Sequence, residues 1–272
     1  MTANTTGNGW PRFSADADRA EREDFIPFIH ELAAASGAVI RAHYLTGVRA
    51  ESKADASPVT IADRGAEQVM RELIARRYPD HGVLGEEFGE TLPDARYRWV
   101  LDPIDGTKAF LANCYIFGTL IALLRDGRPI IGAITSPLVG HVLVGTAGET
   151  RLGDRVMRVR PCDRIEDALA LTTDHREVAK RRDAAAFEQL ISRVRLYRGW
   201  GDCHGYFQVA TGGADLMLDP VLSAWDIMAL VPVIEGAGGR ITDWRGDDPV
   251  GSDSVIASAG SIHAEVVRLL NP

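Results

Sequence analysis

Cysteine is scarce: three in 272 residues, Cys114, Cys162 and Cys203, widely separated. No two stand at a metal-ligand spacing, and an odd set makes a poor disulfide framework, so a reducing cytoplasm is the expected location. Positive charge is also in deficit. Thirty Lys and Arg face 38 Asp and Glu, a formal net charge of −8, which argues against a nucleic-acid surface built on clustered cations. It leaves phosphate ligands open, because a metal ion supplies positive charge where side chains do not. No apolar run approaches the roughly 20 residues of a bilayer span, so no membrane partner is expected. The opening residues are polar and hold no apolar signal core; residues 1–22 read as a flexible tail. The seven histidines include no HExxH-like pairing, which speaks against a zinc site. Repeats and low-complexity linkers are absent.

What is present suits a globular chain with a sizeable core, at 46% hydrophobic residues. Phe25, Phe28, Ile29, Leu32, Val39 and Ile40 recur at helical spacing. Thr60 with Asp63 three residues on reads as a capping box ahead of an apolar face through Ala66, Met70, Leu73 and Ile74, a helix that Tyr78-Pro79-Asp80 ends. Trp99-Val100-Leu101 reads as a strand that breaks at Asp102. Residues 117–147 hold three apolar runs parted by Asp126-Gly127 and by Pro137 to Gly140, an antiparallel meander. Further on, 168–172, 216–218 and 255–258 read as strands, and 183–193, 206–211, 223–235 and 262–270 as helices, with Pro232 in conflict with its helix. The order predicts a layered α+β to α/β architecture: one compact unit over 23–272, in halves of about 23–155 and 156–272.

The most informative segment runs from Trp99 to Lys108. Asp102 and Asp105 stand three residues apart where the strand breaks, Pro103 fixes the turn, and Gly106 lets backbone approach a ligand. Thr107 opens a short helix whose free N–H groups, with that of Gly106, suit an anion such as phosphate. Two carboxylates converging beside such a site suit a hard, oxygen-seeking cation. From spacing alone, a strand-end turn with an aspartate cap explains the segment equally well. Glu86 after Val83-Leu84-Gly85 is taken singly a solvated turn. Asp226 after Trp225 and Asp63 after Thr60 are singly ordinary acids of a helix start.

Together, in order and spacing, Glu86, the run Asp102-Pro103-Ile104-Asp105-Gly106-Thr107 and the late Trp225-Asp226 resemble the inositol monophosphatase family of metal-dependent, lithium-sensitive phosphatases. Lys53, Ser57-Pro58-Val59-Thr60 and Asp63 fit the same pattern, and the likeness covers about residues 25–272. It implies a layered α/β/α/β/α sandwich, commonly a homodimer, hydrolysing a small phosphate ester with two or three Mg2+ ions, Mn2+ being a substitute. By that resemblance Glu86, Asp102 and the Ile104 carbonyl hold one magnesium, and Asp102, Asp105 and Asp226 a second, with Asp102 bridging. Glu86 also faces a weaker third ion through water. Thr107 and Asp63 form the dyad that orients and deprotonates the attacking water; a Thr hydroxyl is too weak a base alone and relays its proton to a carboxylate. Asp105 and the N–H groups of Gly106 and Thr107 meet the substrate.

Within the family, Tyr78-Pro79-Asp80-His81-Gly82, Gly85-Glu86-Glu87-Phe88-Gly89, Gly201-Asp202-Cys203 and the run from Leu230 to Glu235 resemble the histidinol-phosphate phosphatase branch. Hydrolysis of L-histidinol phosphate in histidine biosynthesis is then the expected activity, with Asp202 and Arg198 on the alcohol side of the pocket. Inositol 1-phosphate and nucleotide 3′-phosphates are the alternative substrates, and a non-catalytic metal- or phosphate-binding relative is a third reading. One departure stands out: Ala112-Asn113-Cys114-Tyr115 replace a loop in which the family places a Gly and a Pro or basic residue near the substrate.

Overall fold

The computed structural model describes residues 11–52 and 58–272; Lys53 and Ser57 lie outside them. Helix α1 (Arg19–His43) opens on a capping box, Asp18 accepting the Glu21 N–H at 2.8 Å and Glu21 accepting the Asp18 N–H at 2.8 Å, a cap of the kind worth about 1 kcal/mol. A two-stranded ribbon, β1 (Glu51–Ser52) with β2 (Pro58–Val59), leads into α2 (Ile61–Arg77), which starts on the expected Thr60–Asp63 capping box. Phe25, Phe28, Ile29 and Leu32 of α1 and Met70 and Ile74 of α2 bury one common face. By length and composition α1 is long and apolar enough to cross a bilayer, against the reading above; here its apolar stripe is core, packed on Trp99, Leu101 and Ile121.

That core covers one face of an eight-stranded sheet. Its members are β3 (Gly82–Gly85), β4 (Gly89–Thr91), β5 (Tyr97–Asp105), β6 (Gly118–Arg125), β7 (Arg128–Ser136), β8 (His141–Thr146), β9 (Thr150–Leu152) and β10 (Arg155–Met157), ordered β10-β9-β8-β7-β6-β5-β3-β4. A short helix, α3 (Thr107–Leu111), interrupts it. The meander β6–β7–β8 is antiparallel as the sequence predicts, and β3 pairs parallel with β5. Strand β5 does not break at Asp102. It continues through Pro103 to Asp105, with a register shift between Asp102 and Asp105. Proline, which has no N–H, falls where pairing is already interrupted, and its carbonyl accepts from the Thr119 hydroxyl at 2.8 Å.

The second sheet is ordered β12-β11-β13-β15-β14, from β11 (Leu169–Leu171), β12 (Leu196–Arg198), β13 (Leu216–Asp219), β14 (Arg240–Thr242) and β15 (Val255–Ser258). Helices α4 (His175–Arg181), α5 (Ala184–Arg193) and α8 (His263–Leu270) accompany it, with Val178, Phe187, Leu190 and Val266 packed on Leu216, Leu218 and Ile256. Between the sheets lie α6 (Asp202–Ala210) and α7 (Ala224–Gly236), sharing one core with Val100, Leu120 and Ile134 of the large sheet and Met217 and Ala257 of the small one. The result is the layered α/β/α/β/α sandwich. α7 is buried on every side from Ile227 to Gly236, as expected of a helix apolar all round. That burial outweighs the interior Pro232, whose cost of about 3 kcal/mol is little more than full burial of one or two aliphatic side chains at roughly 1.5–3 kcal/mol each.

The flexible tail expected over residues 1–22 is not what residues 11–22 form. The Phe13 N–H (2.7 Å), the Ser14 N–H (3.1 Å) and the Ser14 hydroxyl all donate to the Glu235 carboxylate near the end of α7, and the Ala15 N–H donates to the Pro129 carbonyl at 3.0 Å. A carboxylate 4% exposed requires such donors, and this segment brings them.

Candidate active site and metal centre

Asp102 and Asp105 leave the large sheet on β5, and Asp226 enters from between the sheets in the first turn of α7. Asp226 caps that turn by accepting the Ser223 N–H at 2.7 Å. One carboxylate oxygen from each of the three lies within 4.8 Å of the other two. Glu86 follows β3, its N–H donating to the Leu101 carbonyl at 3.2 Å, and it lines the same cavity, a cleft of about 450 Å³ that Thr107, Lys108, Asp202 and Asp219 also line.

So many acids in one place repel. Burial, then Glu86, Asp105 and Asp226, push the Asp102 carboxyl well above the usual range. Burial, then Asp202 and Asp226, do the same to Asp105. Burial raises Asp226 to about 6. Asp102 Oδ1 is buried with no hydrogen-bond partner among the described residues, an arrangement costly unless a cation completes it. The candidate donors are all oxygen, which suits Mg2+ or Mn2+ over zinc. The residues present therefore fit a divalent metal. Proton and metal compete for the same oxygens, so lowering the pH from 7 to 5, through the Asp226 value of about 6, is expected to weaken Mn2+ binding by about tenfold or more. Titration of free Mn2+ by electron paramagnetic resonance checks this; equal affinity at both pH values would contradict it.

Gly106 links β5 to α3 at φ +90°, a conformation glycine adopts without strain. A Cβ there would lie 3.0 Å from Asp202 Oδ2, so the loop also needs the space. The Thr107 hydroxyl lies 3.1 Å from the Ile104 carbonyl and 3.5 Å from Asp63 Oδ1. Asp63 Oδ2 is occupied by the N–H and hydroxyl of Thr60, leaving Oδ1 to face Thr107. The structure thus brings together Asp63, Glu86, Asp102, Ile104, Asp105, Gly106, Thr107, Asp202 and Asp226.

Arg198 is the exception. It ends β12 with an exposed guanidinium that donates to the carbonyl of its neighbour Tyr197 at 2.7 Å, and it does not line the cavity. Asp202 stands at φ +51° at the start of α6, its N–H donating to the Thr173 hydroxyl at 2.8 Å. Burial, then Asp219 and Asp226, raise its carboxyl to about 7. Sequence reading missed Asp219, which ends β13 and accepts from the Tyr206 hydroxyl (2.8 Å) and the Thr173 N–H (3.1 Å). The available signal was the one that singled out Glu86 and Asp102: an acid closing a short apolar strand.

The fold and the carboxylate cluster suit a metal-dependent hydrolase of small phosphate esters. The model of the inositol monophosphatase family matches residues 21–271, and the chain belongs to that family. It is 40% identical over 229 residues to the chloroplastic bifunctional phosphatase IMPL2 of Arabidopsis thaliana, covering 83% of this chain and 66% of that one. It is 34% identical over 230 residues to the histidinol-phosphatase of Mycobacterium tuberculosis, covering 82% and 88%. The solved structure of an inositol monophosphatase from Zymomonas mobilis matches with a TM-score of 0.82 at 37% identity, covering 92% of this chain and 99% of that one.

Proposed function

We propose that the chain hydrolyses L-histidinol phosphate to L-histidinol and phosphate, as a cytoplasmic, homodimeric step of histidine biosynthesis. The observation that carries this reading is the charge of the cavity wall beyond the metal ligands. Asp202, Asp219, Asp174 and Glu177 all line it. An alcohol bearing an ammonium and an imidazole gains from such a wall, since a charge-assisted hydrogen bond is roughly twice as strong as a neutral one, whereas an inositol ring offers hydroxyls alone. The Mycobacterium tuberculosis relative is a histidinol-phosphatase by name, which supports the same substrate. The likeness to the Zymomonas mobilis inositol monophosphatase supports inositol 1-phosphate as the second reading.

In the proposed assignment Glu86, Asp102 and the Ile104 carbonyl hold one ion, and Asp102, Asp105 and Asp226 another. The ions, when bound, neutralise the phosphate, lower the pKa of the attacking water and stabilise the leaving alkoxide. The protein's own part is positional. Gly106 and Thr107 present backbone N–H groups to the phosphate. The Thr107 hydroxyl orients the water and passes its proton toward Asp63 Oδ1. Asp202 and Asp219 receive the cationic alcohol. Asp202→Asn should raise KM for histidinol phosphate by about tenfold or more, the roughly 1.5–3 kcal/mol of a hydrogen bond to a charged group, and leave hydrolysis of an aryl phosphate nearly unchanged. Equal loss on both substrates would make Asp202 a spacer over Gly106. A parent enzyme that prefers inositol 1-phosphate would overturn the substrate assignment and leave the metal chemistry intact.

A further inference from the structure

Helix α2 carries a second acid one turn beyond Asp63. Glu67 has a fully buried side chain, and its carboxylate leaves the helix to accept the N–H of Glu87 at 2.7 Å and of Phe88 at 3.2 Å. Arg71, one turn further on, donates to Glu67 at 2.7 Å and reaches on to the Gly89 carbonyl. The pair therefore grips the turn between β3 and β4 from three backbone points, and Glu86 is the residue just before the first of them. The fit is close: a Cβ at Gly85 would stand 2.0 Å from Glu67 Oε1, so a side chain there and the carboxylate cannot coexist.

The Glu87 N–H reaches one carboxylate oxygen and the Phe88 N–H the other, a pair of acceptors that carboxylate supplies and an amide, with one NH2 end, does not. The turn needs such a hold. Glu86 lines the cleft beside Asp105 and Asp226, where like charges repel it, so a fixed backbone is needed to hold it there. We propose that Glu67, tightened by Arg71, is a positioning residue that keeps Glu86 aimed into the metal site, so that α2 fixes both the Asp63–Thr107 pair and this ligand in one rigid frame. The proposal rests on Glu86 being a metal ligand.

The test is Mn2+ affinity, read by electron paramagnetic resonance on the full chain, with the thermal midpoint measured alongside. Glu67→Gln keeps the shape, but whichever way its amide turns one N–H faces another. Groups that orient a metal ligand typically contribute 10–100-fold in affinity. Glu67→Gln is expected to lose about tenfold or more, and the double variant with Glu86→Gln to bind no more weakly than Glu86→Gln alone. Arg71→Ala, which keeps Glu67, should show a smaller loss and decides the matter if Glu67→Gln does not fold. Parent-like affinity in Glu67→Gln, or losses that add in the double variant, would overturn the clasp. Parent-like affinity in Glu86→Gln would instead overturn the ligand assignment beneath it.

Discussion

Asp102→Asn is expected to abolish turnover, by about three orders of magnitude or more, with the fold retained. Asp102 sits on the interior strand β5, buried at 2% exposure, one oxygen without a partner among the described residues and the carboxylate within reach of both Asp105 and Asp226. In the proposed assignment it is shared between two cations, so the amide removes charge from both at once. Charge stabilisation by such ions is worth several kcal/mol, and each 1.36 kcal/mol is tenfold in rate. Without metal the same exchange relieves repulsion among the acids. The metal-free variant is therefore expected to melt no lower than the metal-free parent, while the rise in melting temperature on adding Mg2+ shrinks. A variant with parent kcat, or a parent fully active in excess chelator, would end the metal reading.

The second large effect is at Thr107. Thr107→Ala keeps the backbone N–H at the start of α3 and removes the hydroxyl that lies between the Ile104 carbonyl and Asp63 Oδ1, together with a γ-methyl that Thr107→Ser removes by itself. General acid–base steps contribute about 10²–10⁴-fold. The expected result is a fall in kcat of that size with KM for the ester little changed, and substantial recovery in Thr107→Ser. At 3.5 Å the hydroxyl–carboxylate contact is long, as catalytic hydrogen bonds often are before substrate binds. A rate within about twofold of the parent would reduce Thr107 to a residue that bonds the Ile104 carbonyl and starts a helix.

Much of this site was legible in the chain because its acids follow local rules. Asp63 and Asp226 are each the third residue of a helix and close its capping box. Asp102 and Glu86 close apolar runs, and the Asp126-Gly127 turn, with both residues at positive φ, announced the meander. What escaped reading has physical causes. β12 and β14 are three residues long, too short for a period, and are strands because neighbours pair with them. α4 buries only Val178, so no apolar stripe marks it. α6 begins four residues before its apolar pattern does, since Asp202 enters at positive φ on the Thr173 hydroxyl. Arg198 is cationic in a phosphate enzyme, which made it attractive, yet the end of β12 turns it to solvent. Glu67 carries no local signal of its own, and only the turn folded over it gives it a task.

The last of the clustered acids belongs to a helix tied down at both ends. Asp226 opens α7 inside the cleft, and nine residues later Glu235 meets the strap formed by Phe13 and Ser14. The two contacts are far apart in the chain but share one rigid rod, and the rod is the wall between the sheets. A protein trimmed to start at α1 would keep every residue assigned to chemistry and still bury a carboxylate with its donors gone. Residues 13 and 14 thus fix the far end of the helix that carries Asp226, and a tag or cut placed there is expected to disturb that helix.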